Sequence, residues 1–255
     1  MLDVLKRALT ETIYTPELME SFLKGTLTEE ERLSIVTAGI INSDVGDGRV
    51  HPVNAETMVG LPRLSNFQWC IEQAILNNIE GDVIETGVWR GGSCILAAAV
   101  LKEQNSDKKI YVADSFEGLP KPESQYSADD NDPHHTIEFL KVSLPEVKKN
   151  FEKYGLLSDN VVFIKGFFKD SLKEVPFEKL SVLRLDGDMY SSTIEVLEAL
   201  YDKLSVGGYL IIDDFFLPAC KKAVEDFRAA RNITDEIIII DWTGVYWQKT
   251  ENGAL

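Results

Sequence analysis

The sequence predicts an α/β fold in which a doubly wound, mostly parallel sheet of seven strands follows a helical N-terminal lobe. From Gly81 onward, short apolar runs alternate with segments of helical periodicity, a pattern typical of parallel sheets covered by helices. The last two apolar runs lie close together with no helical segment between them, which indicates a closing antiparallel pair. A chain of 255 residues, 44% of them hydrophobic, can form one large domain with an added lobe.

Residues 1–80 are predicted to form the lobe, because they contain helical periodicity and no strand-like alternation. Apolar residues at helical spacing over 2–13 predict a first helix, and a capping box at 28–31 begins a second. A third helix begins at 65–68 and is ended by Gly81. The lobe could act as a lid over an active site or as an oligomerisation surface, and the sequence leaves both uses open.

Residues 81–255 are predicted to form the second domain, which contains the whole sheet. Its strands are expected at 82–87, 110–114, 161–165, 180–185, 209–212, 237–240 and 244–247. Its helices are expected at 94–101, from Ser143 to Gly155, from Ser192 to Gly207–Gly208, and at 219–231. A polar loop with three prolines spans 118–136, and a loop of this length inside a compact domain is usually functional or mobile.

The composition argues against nucleic acid or an anionic membrane surface as the partner. The chain carries 42 acidic and 26 basic residues, and its net charge of −16 repels both kinds of polyanion. The cysteines, Cys70, Cys94 and Cys220, lie in apolar, helix-like settings and are expected to be buried free thiols. No apolar run is long enough to span a membrane, and the first residues do not resemble a signal peptide. We therefore expect a cytoplasmic protein.

Two apolar runs that end in acidic residues carry the strongest chemical signal. Asp186 follows one run, and Asp213 and Asp214 close the other. Because ligands gather at the carboxyl ends of parallel strands, the three carboxylates should share one rim of the sheet. Buried acids at such close range repel each other unless a cation lies between them, and oxygen ligands suit Mg²⁺ better than Zn²⁺. The alternative is that these acids belong to turns and face water.

The first strand and the second strand indicate a site for a nucleoside. Glu85 begins the stretch Glu-Thr-Gly-Val-Trp-Arg-Gly-Gly-Ser, which is neither the G-x-G-x-x-G fingerprint nor a P-loop. Asp114 ends the second strand, where a carboxylate can accept hydrogen bonds from two ribose hydroxyls. A cationic nucleoside without a pyrophosphate, such as S-adenosylmethionine, would suit these acids. A tight turn and a helix-capping or solvated acid are the alternatives.

The three histidines do not have the spacing of a metal site. His51 lies in the lobe, whereas His134 and His135 lie in the long polar loop. Each could act as a base or a hydrogen-bond donor toward a substrate, or could simply face water. A serine hydrolase is not supported, because the chain contains no G-x-S-x-G elbow.

Four stretches of the chain resemble the macrocin O-methyltransferase family. They cover residues 83–92, 112–120, 183–190 and 211–215, and the resemblance runs nearly end to end, including 5–14, 57–61 and 243–245. Members of that family are class I methyltransferases that depend on S-adenosylmethionine and Mg²⁺ and methylate sugar hydroxyls of macrolides and related glycosylated natural products. The resemblance therefore implies a Rossmann-like methyltransferase fold, these two cofactors, a small glycosylated substrate and a homo-oligomer, a dimer or larger.

The resemblance also implies the residues of the site. The methionine and ribose parts of the cofactor would be held by Glu85, Ser93, Asp114 and Ser115. Thr57 and Met58 would lie against it from the lobe. The adenine would be bordered by Gly166, Phe167, Phe168, Asp170 and Ser171. The Mg²⁺ ligands would be Asp186, Asp213 and Asp214.

The general base is not determined by the sequence. Related catechol-type enzymes use a lysine just after the first metal-binding acid, but here that position reads Gly187-Asp188-Met189-Tyr190. Asp186, Asp188 or a loop histidine must then accept the proton, and Asp188 could also bind the metal, touch the substrate or shape its turn. Methylation of a catechol or another vicinal diol, and a non-catalytic cofactor-binding relative, are the alternative functions.

Overall fold

The computed structural model describes residues 1–12, 47–49 and 54–251. Its helices are α1 (Leu2–Leu9), α2 (Leu61–Leu76), α3 (Gly92–Glu103), α4 (Leu144–Lys153), α5 (Phe168–Ser171), α6 (Tyr190–Leu200) and α7 (Pro218–Ala230). Its strands are β1 (Asp82–Thr86), β2 (Ile110–Asp114), β3 (Val161–Lys165), β4 (Leu180–Leu185), β5 (Leu204–Ile212), β6 (Ile238–Ile239) and β7 (Val245–Gln248). All seven predicted strands are therefore confirmed. The helix predicted to begin at 28–31, and His51, lie outside the described residues.

The strands form one sheet in the order β3-β2-β1-β4-β5-β7-β6. The first five strands are parallel, and β7 runs antiparallel to both β5 and β6, as the sequence predicted. Thr86 is in register with Ala113 on one side and Leu185 on the other, and Leu185 pairs with Ile212. The carboxyl ends of four strands therefore lie abreast. After β1 the chain adds β2 and β3 on one side of the sheet, and after β4 it adds β5 on the other side. α/β sheets bind ligands in the crevice between the two strands at which this direction changes, which here are β1 and β4.

Helices cover both faces of the sheet, and successive strand residues alternate between the two cores. Val83, Val182 and Ile211 belong to the cluster that contains residues of α1 to α4. Ile84 and Leu183 belong to the cluster on the other face, which contains residues of α6 and α7. Strands buried on both sides explain why the sequence shows continuous apolar runs instead of polar–apolar alternation.

Several predicted boundaries are wrong; α6, for example, begins at Tyr190 and not at Ser192. α2 begins at Leu61, not at 65–68, because Pro62 fits the first turn of a helix, where no N–H bond is lost. Ser65 accepts a hydrogen bond from Lys6 Nζ at 3.0 Å, so its side chain contacts α1. α6 ends at Leu200, and Gly207, predicted to close that helix, lies inside β5 with a φ of 84°.

The described part of the predicted lobe packs on the sheet. The face of α2 that carries Phe67, Cys70, Ile71 and Ala74 is fully buried in the same core cluster as Val83 of β1. The division of the chain at residue 80 stays a prediction.

The three cysteines are buried and free, as predicted. None of the helices in the described part of the chain combines the length and the apolar character needed to cross a membrane.

We expect Gly87→Ala to destabilise the protein much more than Gly155→Ala. Both glycines have a positive φ, at 84° and 64°, and alanine there costs about 1–2 kcal/mol. A Cβ on Gly87 would also collide with the carbonyl oxygen of Asp186, whereas a Cβ on Gly155 would have no heavy atom within 4 Å. The collision should cost a further ~1–3 kcal/mol or more. Urea denaturation of both variants measures the difference, and equal midpoints would refute the close approach of β1 and β4.

Candidate active site

A cavity of about 430 Å³ opens at the carboxyl ends of the parallel strands, above the crevice between β1 and β4. Gly87 and Asp186, which directly follow these two strands, both line it. The loop 118–140 and residues 57–59 supply further wall. Its volume falls in the range of small-molecule sites in proteins.

The cavity brings together most of the residues predicted for the site, but not all of them. Eleven of the predicted residues form its wall: Thr57, Met58, Ser93, Asp114, Ser115, Phe167, Phe168, Asp186, Asp188, Asp213 and Asp214. Glu85, Gly166, Asp170 and Ser171 are not part of this wall. Asp170 is exposed and pairs with Lys173 at 2.8 Å.

Asp114 holds the turn that follows β1. Its Oδ2 accepts a hydrogen bond from the backbone N–H of Val88 at 2.8 Å, and its Oδ1 accepts one from Phe116 N–H at 2.7 Å. Burial raises the pKa of this carboxyl, while the N–H bonds oppose the rise. Ser115 Oγ donates to the same Oδ1 at 3.4 Å, and Asp114 also lines the cavity, so this carboxylate belongs to the site.

Glu85 lies behind the wall and is fully buried. It accepts hydrogen bonds from Ser93 Oγ at 2.6 Å and Cys94 Sγ at 2.8 Å, and it pairs with the guanidinium of Arg184. Burial raises the pKa of Glu85, and the charge of Arg184 opposes this. Glu85 therefore reaches the cavity through Ser93, whose side chain forms part of the wall.

The three aspartates predicted to share one rim do lie together. One carboxylate oxygen from each of Asp186, Asp213 and Asp214 lies within 4.8 Å of the others, a grouping that could hold a metal ion. Burial, and then the charge of Asp213, raise the pKa of Asp186 to about 8. Burial and the neighbouring acids also hold the pKa of Asp214 well above its usual value. Both shifts mean that ionising the whole cluster is unfavourable without a further cation.

Asp188 shapes the turn beside this cluster. Its φ is 56°, in the left-handed region, and its backbone N–H donates to Asp214 Oδ2 at 3.2 Å. Its side chain lines the cavity, so the role in the turn does not remove the carboxylate from the site.

Two arginines that the sequence reasoning missed neutralise part of the acid cluster. Arg184, in the middle of β4, is fully buried and donates to Glu85, to Asp213 and, at 3.0 Å, to Asp186 Oδ2. Burial alone would lower its pKa, but the charges of Asp213 and Glu85 hold that pKa well above its usual value. A charged residue inside the apolar run 180–185 was the available signal, since such a residue is rarely buried unless it is paired.

Arg63, at the start of α2, is the second arginine. It pairs with Asp213 and donates from Nε to Asp241 Oδ2 at 2.9 Å, and it also lines the cavity. Trp242, another residue that the sequence reasoning missed, lines the cavity close to this guanidinium, and its Nε1 donates to Asp47 O at 2.8 Å. These contacts join positions more than 100 residues apart, so no local sequence pattern predicts them.

The long polar loop forms one wall of the cavity and is anchored on helix α6. Asp129 is fully buried, and its two oxygens accept the backbone N–H groups of Tyr190 at 2.7 Å and Ser191 at 2.9 Å. Of the two loop histidines, His134 lines the cavity and His135 does not. The loop therefore places one of them in the wall of the cavity.

Replacing Arg184 by methionine should destabilise the protein by about 3–5 kcal/mol, because it leaves Glu85, Asp186 and Asp213 buried with too little positive charge. Arg231→Met is the matched control, since Arg231 pairs with Asp202 at the surface and such pairs contribute about 0–1 kcal/mol. Urea denaturation measures both losses. Similar losses in the two variants would contradict the structural role of Arg184.

The chain is similar over almost its whole length to proteins named as O-methyltransferases. A family model described as macrocin-O-methyltransferase (TylF) matches residues 1–249. The mycinamicin III 3''-O-methyltransferase of Micromonospora griseorubida is 42% identical over 259 residues, which cover 98% of this chain and 96% of that protein. The demethyldecarbamoylnovobiocin O-methyltransferase of Streptomyces niveus is 44% identical over 254 residues, which cover 98% and 93%. The solved structure of the O-methyltransferase NovP is similar with a TM-score of 0.84 and 41% identity over 98% of both chains.

The family expected from the sequence motifs is thereby confirmed. Because the family model matches almost the whole chain, the protein belongs to the macrocin O-methyltransferase family.

Proposed function

We propose that this protein transfers the methyl group of S-adenosylmethionine to a sugar hydroxyl of a glycosylated natural product, with Mg²⁺ at the aspartate cluster. The observation that carries the proposal is that the aspartate cluster and Asp114, the residue suited to a ribose, line one cavity. Relatives named for methylation in mycinamicin and novobiocin biosynthesis support a glycosylated acceptor.

The residues present fit a cationic nucleoside cofactor. Asp114 offers ribose hydroxyls a carboxylate at the wall, and Phe167 and Phe168 offer apolar surface for an adenine. Thr57 and Met58 close the cavity from the side of residues 54–60. Glu85 would act indirectly, by orienting the Ser93 hydroxyl and balancing the charge of Arg184.

The residues present also fit Mg²⁺. The three aspartates offer the hard oxygen ligands that this ion prefers, and the raised pKa values of Asp186 and Asp214 support a divalent cation here, because it would offset the repulsion among the acids. Asp213 accepts hydrogen bonds from two arginines, but each of its oxygens retains a lone pair. When bound, Mg²⁺ would lower the pKa of a coordinated hydroxyl and fix the direction of vicinal oxygens.

The chain's own residues would bring the two reactants together. The cofactor pocket would direct the sulfonium methyl toward the acid cluster, while Asp186 and Asp188 would orient the acceptor hydroxyl by accepting hydrogen bonds. Holding two reactants in the geometry of attack removes most of the entropic cost of a bimolecular reaction. The loop 118–140 would exclude water from this space.

Three broader features belong to the same proposal. A homo-oligomer follows from the family resemblance, and the role of residues 1–80, as a lid or as an interface, follows from their helical pattern. A cytoplasmic location is supported by the three buried cysteines, which are free thiols.

A methyl-transfer screen with labelled S-adenosylmethionine and Mg²⁺ tests the function. We expect transfer to glycosylated natural products, including partly methylated forms, and mass spectrometry should find the new methyl group on a sugar. A catechol serves as the competing acceptor, and transfer to it alone would favour the vicinal-diol alternative. Calorimetry that detects no binding of S-adenosylmethionine would reject the proposed enzyme and favour a non-catalytic relative.

Asp214→Asn should lower the affinity for Mg²⁺ by at least about tenfold, because it removes a charge from a proposed ligand. Loss of a residue that only supports a ligand already has an effect of about this size. The affinity for S-adenosylmethionine, measured by calorimetry without metal, should stay close to that of the parent protein. Asp170→Asn is the control, because Asp170 is exposed and lies outside the cavity wall. An unchanged Mg²⁺ affinity in Asp214→Asn would remove this residue from the metal site.

A further inference from the structure

We propose that Glu56, a buried residue outside the cavity wall, is the positioning residue that holds Thr57 and Met58 against the cofactor. This inference rests on the proposed methyl transfer, in which these two residues close the cavity over S-adenosylmethionine. The ion pair and hydrogen bonds of Glu56, and the close packing of its segment on helix α3, carry the argument.

Residues 54–60, the wall segment, form neither a helix nor a strand, so contacts with other parts of the chain must hold them in place. Within the segment, the backbone N–H of Val59 donates to Thr57 Oγ1 at 3.0 Å and closes a short turn. Thr57, Met58 and Val59 all line the cavity. These three residues therefore form one local unit, and Glu56, which directly precedes them, connects that unit to the rest of the protein.

The backbone of Glu56 lies directly on the first turn of α3. Its carbonyl oxygen accepts the N–H of Gly92 at 2.9 Å, and its own N–H donates to Leu9 O, at the end of α1, at 3.0 Å. A Cβ on Gly92 would lie 2.5 Å from that carbonyl oxygen and 2.8 Å from Thr57 Cβ, so this approach requires glycine. Ser93, the next residue of α3, lines the cavity, and the wall segment therefore meets α3 beside the site.

The carboxylate of Glu56 is buried and binds the end of α4. Its Oε1 pairs with Lys153 Nζ, and its Oε2 accepts a hydrogen bond from Tyr154 Oη at 2.8 Å. Hydrogen bonds to an ionised group are shorter and stronger than those between neutral groups. Because both carboxylate oxygens bind donors from the same helix end, the side chain fixes the wall segment relative to α4.

Helix α4 supports the cofactor side of the cavity at a second, separate point. Val147 packs against Gly91, where a Cβ would lie 2.9 Å from Val147 Cγ1, and Asn150 Nδ2 donates to Arg90 O at 2.9 Å. One part of α4 thus holds the glycine turn before α3, and its end holds Glu56. Loss of the Glu56 contacts should therefore release the wall segment and leave the glycine turn in place.

Glu56→Gln should raise the dissociation constant of S-adenosylhomocysteine by about tenfold, measured by calorimetry. The substitution replaces hydrogen bonds to a charged group by weaker neutral ones, so the wall segment is in its binding position for a smaller fraction of the time. The apparent affinity falls in proportion to that fraction. The demethylated cofactor is a suitable probe, because its binding needs no acceptor.

Asp235→Asn is the matched control. Asp235 is also a buried carboxylate, it accepts a hydrogen bond from Thr250 Oγ1, and it lies outside the cavity wall. The same chemical change there should lower the midpoint of urea denaturation and leave the affinity for S-adenosylhomocysteine unchanged.

Hydrogen exchange gives a readout that a general loss of stability would not produce. In Glu56→Gln the amide of Gly92, which donates to Glu56 O, should exchange faster, whereas the amide of Ile95, which donates to Gly91 O at 2.8 Å, should keep its rate. Lys153→Met should weaken cofactor binding in the same way. The double variant should bind about as weakly as the weaker single variant, because both changes break one ion pair.

An unchanged affinity or an unchanged exchange rate of the Gly92 amide in Glu56→Gln would overturn the role of Glu56 and leave the proposed function intact. An equal loss of affinity in Asp235→Asn would attribute the effect to lower stability and would overturn the role as well. Absence of any binding of S-adenosylmethionine and S-adenosylhomocysteine by the parent protein would reject both this role and the proposed function.

Discussion

The active-site edge of this protein depends on one buried cation, the guanidinium of Arg184. It lies in β4, in register with Glu85 on one side and Ile211 on the other, and it contacts the carboxylates of Glu85, Asp186 and Asp213. A parallel sheet gives its buried residues no access to water, so each of these charges depends on the others for compensation. The ion pairs of Arg184 therefore connect β1, β4 and the end of β5 at the edge of the sheet where the site begins.

Arg63 extends this network from the sheet to helix α2, since it shares Asp213 with Arg184 and also binds Asp241. The two arginines leave Asp186, Asp188 and Asp214 with raised pKa values, so the cluster remains short of positive charge. Such a site combines a rigid frame with an excess of negative charge. In the proposed function, Mg²⁺ at the three aspartates would supply this missing positive charge.

Local pattern was enough to predict the strands and the acid cluster, because a buried strand is a short apolar run and its end is marked by polar residues. The start of α2 and the extent of β5 were not predicted correctly, because Pro62 can lie inside a helix start and Gly207 can lie inside a strand. Arg63 pairs with Asp213 across 150 positions, and Asp129 caps a helix 61 residues away. Such contacts arise from the tertiary fold, so the spacing of residues along the sequence does not predict them.

Two contacts anchor the long loop that forms one wall of the cavity. Asp129 is bound to the start of α6, and the carbonyl of Phe139 accepts a hydrogen bond from Trp89 Nε1 at 2.8 Å. Between these points the chain contributes only Ile137, Phe139 and His134 to the wall. In the proposed function this span would contact the acceptor. Substitutions at its apolar positions would then change which acceptors bind and leave the sheet and the cofactor pocket unaltered.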